Sequence, residues 1–103
     1  MKYVTAPIFA LSLTGAVAVG APNHGYNGQS LAPKAKVTMT QARVIALRAH
    51  PGKITDAELE REGGGSGLRY SFDIKSGGKT FEVGVDAANG GVLENKAEGP
   101  HPD

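Results

Sequence analysis

The clearest pattern in the sequence is a two-residue alternation of apolar and polar positions in residues 68–75 and again in residues 80–87. This alternation is typical of strands with one buried face. Residues 77–78 are Gly-Gly, which favours a two-residue hairpin turn. A hairpin closed there aligns every apolar residue with another apolar residue, and a slip of one position would destroy the match. The predicted pairs are Ile74–Phe81, Phe72–Val83 and Tyr70–Val85.

Two weaker strand patterns flank this hairpin. Residues 55–62 alternate with Thr55, Ala57 and Leu59 on the predicted inner face, and Leu59 is expected to lie opposite Tyr70. The connecting residues 63–67, Gly-Gly-Gly-Ser-Gly, are interpreted as a mobile hairpin loop, because they lack the features of a phosphate-binding loop.

A short fourth strand is predicted over residues 92–94, after a turn that uses Gly90. Leu93 is expected to meet Val85 on the inner face. Gly84 interrupts an otherwise regular strand, which indicates a bulge or the close approach of another backbone.

A helix is predicted from Thr38 to Ala49 or His50. Thr38 and Gln41 fit a capping box, and Pro51-Gly52 ends the helix. The expected apolar stripe is Met39, Ala42, Val44, Ile45, Ala46, Leu47 and Ala49. The predicted fold of residues 37–95 is therefore α+β, with one α-helix packed on a three- to four-stranded antiparallel β-meander.

The regions outside this domain have a different composition. Residues 1–21 combine Lys2 with an apolar run and small residues, which is the pattern of a secretory signal peptide. A retained membrane anchor is the alternative, but the run is barely long enough and contains Pro7. Residues 22–36 are expected to form a disordered lead-in, and residues 96–103 a flexible tail. We therefore expect a bacterial protein that is periplasmic or secreted and leaves the membrane after signal cleavage.

Composition excludes several classes of function. With 103 residues, the chain has room for one small domain, which we expect to be monomeric. It has no cysteine, so it has no disulfide framework, thiolate zinc site or cysteine nucleophile. Without Lys2, ten Lys and Arg residues balance ten Asp and Glu residues. This balance gives no electrostatic indication of nucleic-acid binding.

No catalytic constellation is visible. The three histidines lie in the lead-in, at the helix end and in the tail, and no serine lies in a nucleophile motif. His50 is interpreted as a partner of the negative helix terminus. We therefore predict a protein that is not an enzyme and has no cofactor.

The predicted strands collect acidic residues on their solvent side, opposed there by Arg69 and Lys75. Three interpretations stay open: a solvated surface, a contact with a basic partner protein, and a site for a hard cation such as Ca²⁺. No residue is assigned as a metal ligand. The candidate partner-binding residues are Asp56, Glu58, Glu60, Asp73, Glu82 and Asp86, with Glu62 beside them.

Several stretches resemble the PepSY domain family of peptidase propeptides and small exported bacterial proteins. The most specific stretch, residues 83–93 (VGVDAANGGVL), is similar to the family pattern V-D-A-x-T-G-x-V-L, with Asn89 where Thr is usual. Residues 37–42, 50–52, 58–60 and 70–74 also match. The resemblance implies a helix on an antiparallel sheet and a non-catalytic module linked to restraining peptidases. It supplies neither catalytic residues nor a ligand.

These observations together predict an exported PepSY-like binding module that modulates or inhibits a peptidase, or another envelope protein. No protease domain follows in the sequence, so inhibition is expected to act in trans. The alternative function is binding of a hard cation by the acidic sheet face.

Overall fold

The fold is one α-helix packed on one face of a four-stranded antiparallel sheet, as the sequence predicts. The computed structural model describes residues 25–99, so the predicted signal peptide and the end of the tail lie outside the described residues. The strands follow one another in the sheet in the order β1-β2-β3-β4. The elements are a 3-10 helix (Gln29–Lys34), α1 (Met39–Ala49), β1 (Lys53–Arg61), β2 (Leu68–Ser76), β3 (Lys79–Asp86) and β4 (Val92–Ala97).

The β2–β3 hairpin has the predicted register. Ile74 lies opposite Phe81, Phe72 opposite Val83, and Tyr70 opposite Val85. The two turn glycines have φ angles of 60° and 79°, a region that favours glycine. The inner-face side chains of this hairpin form the centre of the core under α1. Those with almost no exposed surface are Tyr70, Phe72, Ile74, Val83 and Val85.

A bulge in β1 corrects one prediction. The register shifts between Ile54 and Asp56, so that Ile54 faces Ile74 and Asp56 faces Asp73. Thr55 is exposed, and the prediction that it faces inward is wrong. The extra residue changes the phase of the alternation, and Ile54 takes the inner position instead.

A second bulge changes β4. The register shifts between Gly84 and Val85, so that Val85 pairs with Val92 and the prediction that Leu93 meets Val85 is wrong. Leu93 is displaced toward the other face, where a Cβ atom on Gly65 would lie 2.9 Å from its Cδ1. The strand also runs to Ala97, which corrects the predicted start of a flexible tail at residue 96.

The capping box of α1 is present. The Gln41 backbone N–H donates to Thr38 Oγ1 at 3.1 Å, and the Thr38 N–H donates to Gln41 Oε1 at 2.9 Å. At the other end, Asn95 Nδ2 on β4 donates to the carbonyl oxygen of Ala49 at 3.2 Å. Sequence reasoning missed this cap, because its donor lies far along the chain.

All but one residue of the predicted apolar stripe of α1 pack against the core. Met39, Ala42 and Ala46 are buried, and Ile45, Leu47 and Ala49 are partly buried. Val44 is 47% exposed, so its assignment to the buried stripe is wrong. It lies two positions from both alanines, which is about 200° around the helix and points away from the sheet.

Residues 25–36 of the lead-in pack against the domain, so the prediction of disorder is wrong for these residues, while residues 22–24 lie outside the described residues. Asn27 forms a parallel bridge with Glu58, and its carbonyl oxygen accepts a hydrogen bond from the Leu59 N–H at 2.9 Å. Gly28 has a φ of +84°, and a Cβ atom there would lie 1.7 Å from the Leu59 carbonyl oxygen. The residues that pack against the core are Tyr26, Leu31, Ala32 and Ala35. The lead-in therefore pairs with the outer edge of β1 near Glu58 and Leu59. Within residues 25–99, no helix has the length and apolar content to span a bilayer.

Candidate functional site: the open face of the sheet

The sheet surface opposite α1, here called the open face, brings three predicted carboxylates into one line. Asp56 on β1 lies directly opposite Asp73 on β2, and Asp73 lies directly opposite Glu82 on β3. We call these three residues the carboxylate row. Like charges directly opposite one another destabilise a sheet. Lys96 on β4 lies opposite Glu82 and places a positive charge at the end of the row.

The neighbouring acidic residues of β1 extend this negative surface. Partial burial raises the pKa of Glu58, and the charges of Glu60, Asp56 and Asp73 raise it further. Glu60 accepts a hydrogen bond from Ser71 Oγ at 2.6 Å. The predicted residues Asp56, Glu58, Glu60, Asp73 and Glu82 thus share one surface, as the strand pattern indicates.

Two further carboxylates show the same mutual repulsion. The pKa of Glu82 is raised by partial burial and then by Glu94 and Asp73. Glu98, which sequence reasoning placed in the tail, also has a raised pKa, because of desolvation and its charge and hydrogen-bond interactions with Asp73. The negative charge of the open face therefore favours the binding of a cationic group or the protonation of its carboxylates.

Asp86 has a different role from the one expected of a surface residue. Its side chain is 1% exposed, so its predicted place among the accessible acidic residues is wrong. It accepts hydrogen bonds from the Ser66 N–H at 2.7 Å, the Ser66 hydroxyl at 2.6 Å and the Ala88 N–H at 2.8 Å. These bonds lower the pKa of Asp86. The carboxylate fastens the β1–β2 loop, predicted to be mobile, to the end of β3.

Arg69 does not neutralise the carboxylate row. Its side chain is nearly buried, with Nη1 3.2 Å from Glu94 Oε1 and Nη2 donating to the Gly63 carbonyl oxygen at 3.0 Å. A Cβ atom on Gly84 would lie 3.0 Å from Nη1, so the glycine leaves room for the guanidinium to cross β3. The glycine within the strand pattern was the sequence signal for both this crossing and the bulge.

The remaining candidate chemistry lies elsewhere. His50 stacks on Phe81 with ring centroids 3.8 Å apart, and its Nδ1 lies 3.2 Å from Asn95 Oδ1. Among residues 25–99, no group of three or more His, Asp or Glu side chains could hold a metal ion. The described geometry therefore gives the hard-cation alternative no support. The open face is thus a sheet surface whose carboxylates repel one another.

Comparison with known families agrees with this fold. The family described as "Peptidase propeptide and YPEB domain", PepSY, matches residues 36–96, which is more than half of the chain. Neither curated proteins nor solved structures gave a match. PepSY domains are propeptide-type modules, generally non-catalytic, and they occur in exported proteins. From its fold, its helix-closing and β3–β4 sequences and this match, the chain belongs to the PepSY family.

Proposed function

We propose that this protein is an exported, non-catalytic PepSY module that restrains a peptidase, or another cell-envelope protein, in trans. The open face is the contact surface, and the partner presents a basic surface to it. The observation that carries this proposal is the carboxylate row, in which Asp56, Asp73 and Glu82 lie directly opposite one another across three strands.

The carboxylate row lowers the stability of the fold, and a basic partner that neutralised the row would remove this loss. Cross-strand pairs of like charge destabilise a sheet. Partial burial makes the largest contribution to the raised pKa values of Glu58 and Glu82, and the charges of neighbouring carboxylates raise them further. Lys or Arg side chains of a partner would remove the repulsion on binding. They would also be attracted at long range, which raises the association rate. Proteins often keep a partner-binding surface even though it lowers the stability of their own fold.

Two observations support export and a regulatory role. The sequence of residues 1–21 has the pattern of a secretory signal, and PepSY domains occur in exported proteins. The family description includes peptidase propeptides, which makes a peptidase the first partner to test. A periplasmic or secreted location follows from the proposal.

The test compares two pairs of substitutions in the full chain, used as bait on a cell-envelope extract of the producing organism. The first pair, Asp73→Asn with Glu82→Gln, neutralises the centre of the row. The matched control, Arg43→Gln with Arg48→Gln, removes two exposed charges from α1 on the opposite side. We expect a peptidase to be enriched by the unchanged chain and the control and lost with the first pair, and its activity to fall when the unchanged chain is added.

Retention of the same proteins by both pairs would contradict a role for the carboxylate row. An enriched peptidase whose activity is unaffected would contradict the inhibitory role and leave only binding. Each bait is first checked by thermal unfolding, because a loss of binding has meaning only for a folded chain.

A further inference from the structure

The two edges of the sheet differ. The lead-in pairs with the outer edge of β1 at one point, where the Leu59 N–H donates to the Asn27 carbonyl oxygen at 2.9 Å. Within residues 25–99, no other segment pairs with the outer edge of β4. An uncovered edge strand presents unpaired backbone donors and acceptors, and these can pair with another chain.

The side chains of β4 limit what can pair there. Glu94 and Lys96 both project on the open face, opposite Gly84 and Glu82 of β3. Glu94 is held in place by Arg69, whereas the Lys96 side chain is 72% exposed, with its Nζ 3.8 Å from Glu94 Oε2. The edge therefore carries a negative and a positive position, two residues apart, on one face.

We propose that two copies of this chain pair antiparallel through their β4 edges, about a two-fold axis that passes beside Asn95. In this register Glu94 of each copy faces Lys96 of the other, so both cross-strand pairs are of opposite charge. Such pairs stabilise a sheet, and a two-fold interface repeats each of them. The prediction of a monomer was made from composition and did not consider the uncovered edge of β4.

The same two residues exclude the neighbouring registers. A two-fold axis perpendicular to the sheet leaves every side chain on its own face. Residues directly opposite each other in an antiparallel pair also project on the same face, whereas neighbours along a strand project on opposite faces. The axis must therefore pass beside a residue, which then lies opposite its own copy. With the axis beside Glu94, the Glu94 carboxylates of the two copies would face each other. Beside Lys96, two ammonium groups would face each other, and Glu94 would face Glu98. An axis beside Ala97 would align little of β4, which ends at that residue.

The paired state would be one eight-stranded sheet. Because the axis is perpendicular to the sheet, both open faces lie on the same side and both copies of α1 on the other. The pairing also covers an edge that would otherwise be free to associate in many ways.

Sedimentation of the full chain, purified in the form in which it accumulates, tests the proposal over a range of concentrations. We expect a monomer–dimer equilibrium. Lys96→Glu should weaken the dimer by at least about ten-fold, because both attractive pairs become repulsive. Lys79→Glu, a matched change at the exposed β2–β3 turn, should leave the equilibrium unchanged.

Mixing Lys96→Glu with Glu94→Lys should restore dimers, since opposite charges face each other again in the mixed pair. As Glu94→Lys also removes the partner of Arg69, its folding is verified first. A monomer at all concentrations, or a dimer equally weakened by Lys79→Glu, would overturn the proposal.

A crosslink provides a second measurement that does not depend on the charges. The chain has no cysteine, so Asn95→Cys introduces a single thiol at the proposed axis. Residues directly opposite in an antiparallel pair have Cα atoms about 4.5–5.5 Å apart, within the range of a disulfide. We expect mild oxidation to give a covalent dimer with Asn95→Cys and not with Lys79→Cys. Equal crosslinking of the two variants would contradict the β4 pairing.

Discussion

The hydroxyl group of Tyr70, in the centre of the sheet, donates a 2.6 Å hydrogen bond to the carbonyl oxygen of Val37, just before the helix. The N–H of Val37 in turn donates to the Ala87 carbonyl oxygen at 2.9 Å. The start of α1 is thus attached to both β2 and the end of β3. Tyr70 is 1% exposed, so water cannot replace the bond.

Tyr70→Phe should reduce the free energy of unfolding by about 1–3 kcal/mol, because it leaves the Val37 carbonyl oxygen without its side-chain donor. The apolar ring remains, so the core should keep its packing. Urea unfolding of the two proteins measures the difference. An unchanged midpoint and slope would mean that the hydrogen bond contributes nothing to stability.

The same residue predicts a loss of stability at alkaline pH. Burial, with a smaller contribution from Tyr26, raises the pKa of Tyr70 from 10.0 to about 12. Between these values the unfolded chain loses its proton first. The stabilisation is therefore complete below pH 10 and declines as the pH rises through about 12. Unfolding curves at pH 9 to 12 should show this decline, and it should be smaller in Tyr70→Phe.

Gly28→Ala should detach the lead-in from β1. The φ of +84° and the 1.7 Å approach of a Cβ atom to the Leu59 carbonyl oxygen leave no room for a side chain. We expect a loss of about 1–3 kcal/mol, or local release of the segment, with faster hydrogen exchange at the Leu59 amide. Gly25→Ala is the matched control, since the nearest atom to its Cβ is a side-chain oxygen at 3.4 Å. Unchanged exchange at Leu59 in Gly28→Ala would contradict this account.

Asp73→Asn should stabilise the fold at neutral pH by about 0.2–1 kcal/mol, because Asp73 faces a carboxylate on each side. Lys79→Gln, at the exposed β2–β3 turn and opposite the uncharged Ser76, removes a charge of opposite sign outside the row and should not stabilise the protein. The two melting temperatures at low salt give the comparison. A stabilised Lys79→Gln, or a destabilised Asp73→Asn, would show that repulsion in the carboxylate row is not what costs stability.

Mild acid should also stabilise the protein. The pKa values of Glu58, Glu82 and Glu98 are raised above 4.5 in the folded state, so the folded chain binds more protons than the unfolded chain just above that pH. Stability should rise as the pH falls from 7 toward 4.5. Below 3.8 it should fall, because Asp86 has a lowered pKa and its protonation weakens its bonds to Ser66 and Ala88. Thermal unfolding from pH 7 to 2 tests this profile, and a continuous decline from pH 7 would contradict it.

The elements with local signals were predictable from sequence. The alternation around residues 77–78 determines the β2–β3 register, and Thr38 with Gln41 identifies the start of α1. The bulge at Thr55 was not predictable, because one inserted residue reverses the alternation and only pairing with the next strand reveals it. Gly84 indicated a bulge in the second case, but not that the extra residue is Leu93 of β4.

The site was predictable in part for a similar reason. Alternation assigned the residues of the carboxylate row to one face, and register then aligned them. The burial of Asp86 depends on Ser66, twenty residues earlier in the chain. The ordered lead-in depends on a few apolar side chains among polar ones, which composition alone does not distinguish from a disordered segment.

The contribution of β4 to the rest of the fold bears on the order in which the chain can fold. Asn95 caps the end of α1, and Glu94 is the ion-pair partner of the nearly buried Arg69. Both lie on β4, which follows the other described strands in the sequence. A chain emerging amino terminus first from a ribosome would expose an uncapped helix and an uncompensated guanidinium until residue 95 had emerged. Residues 25–99 therefore complete their fold only after β4 has emerged and paired with β3.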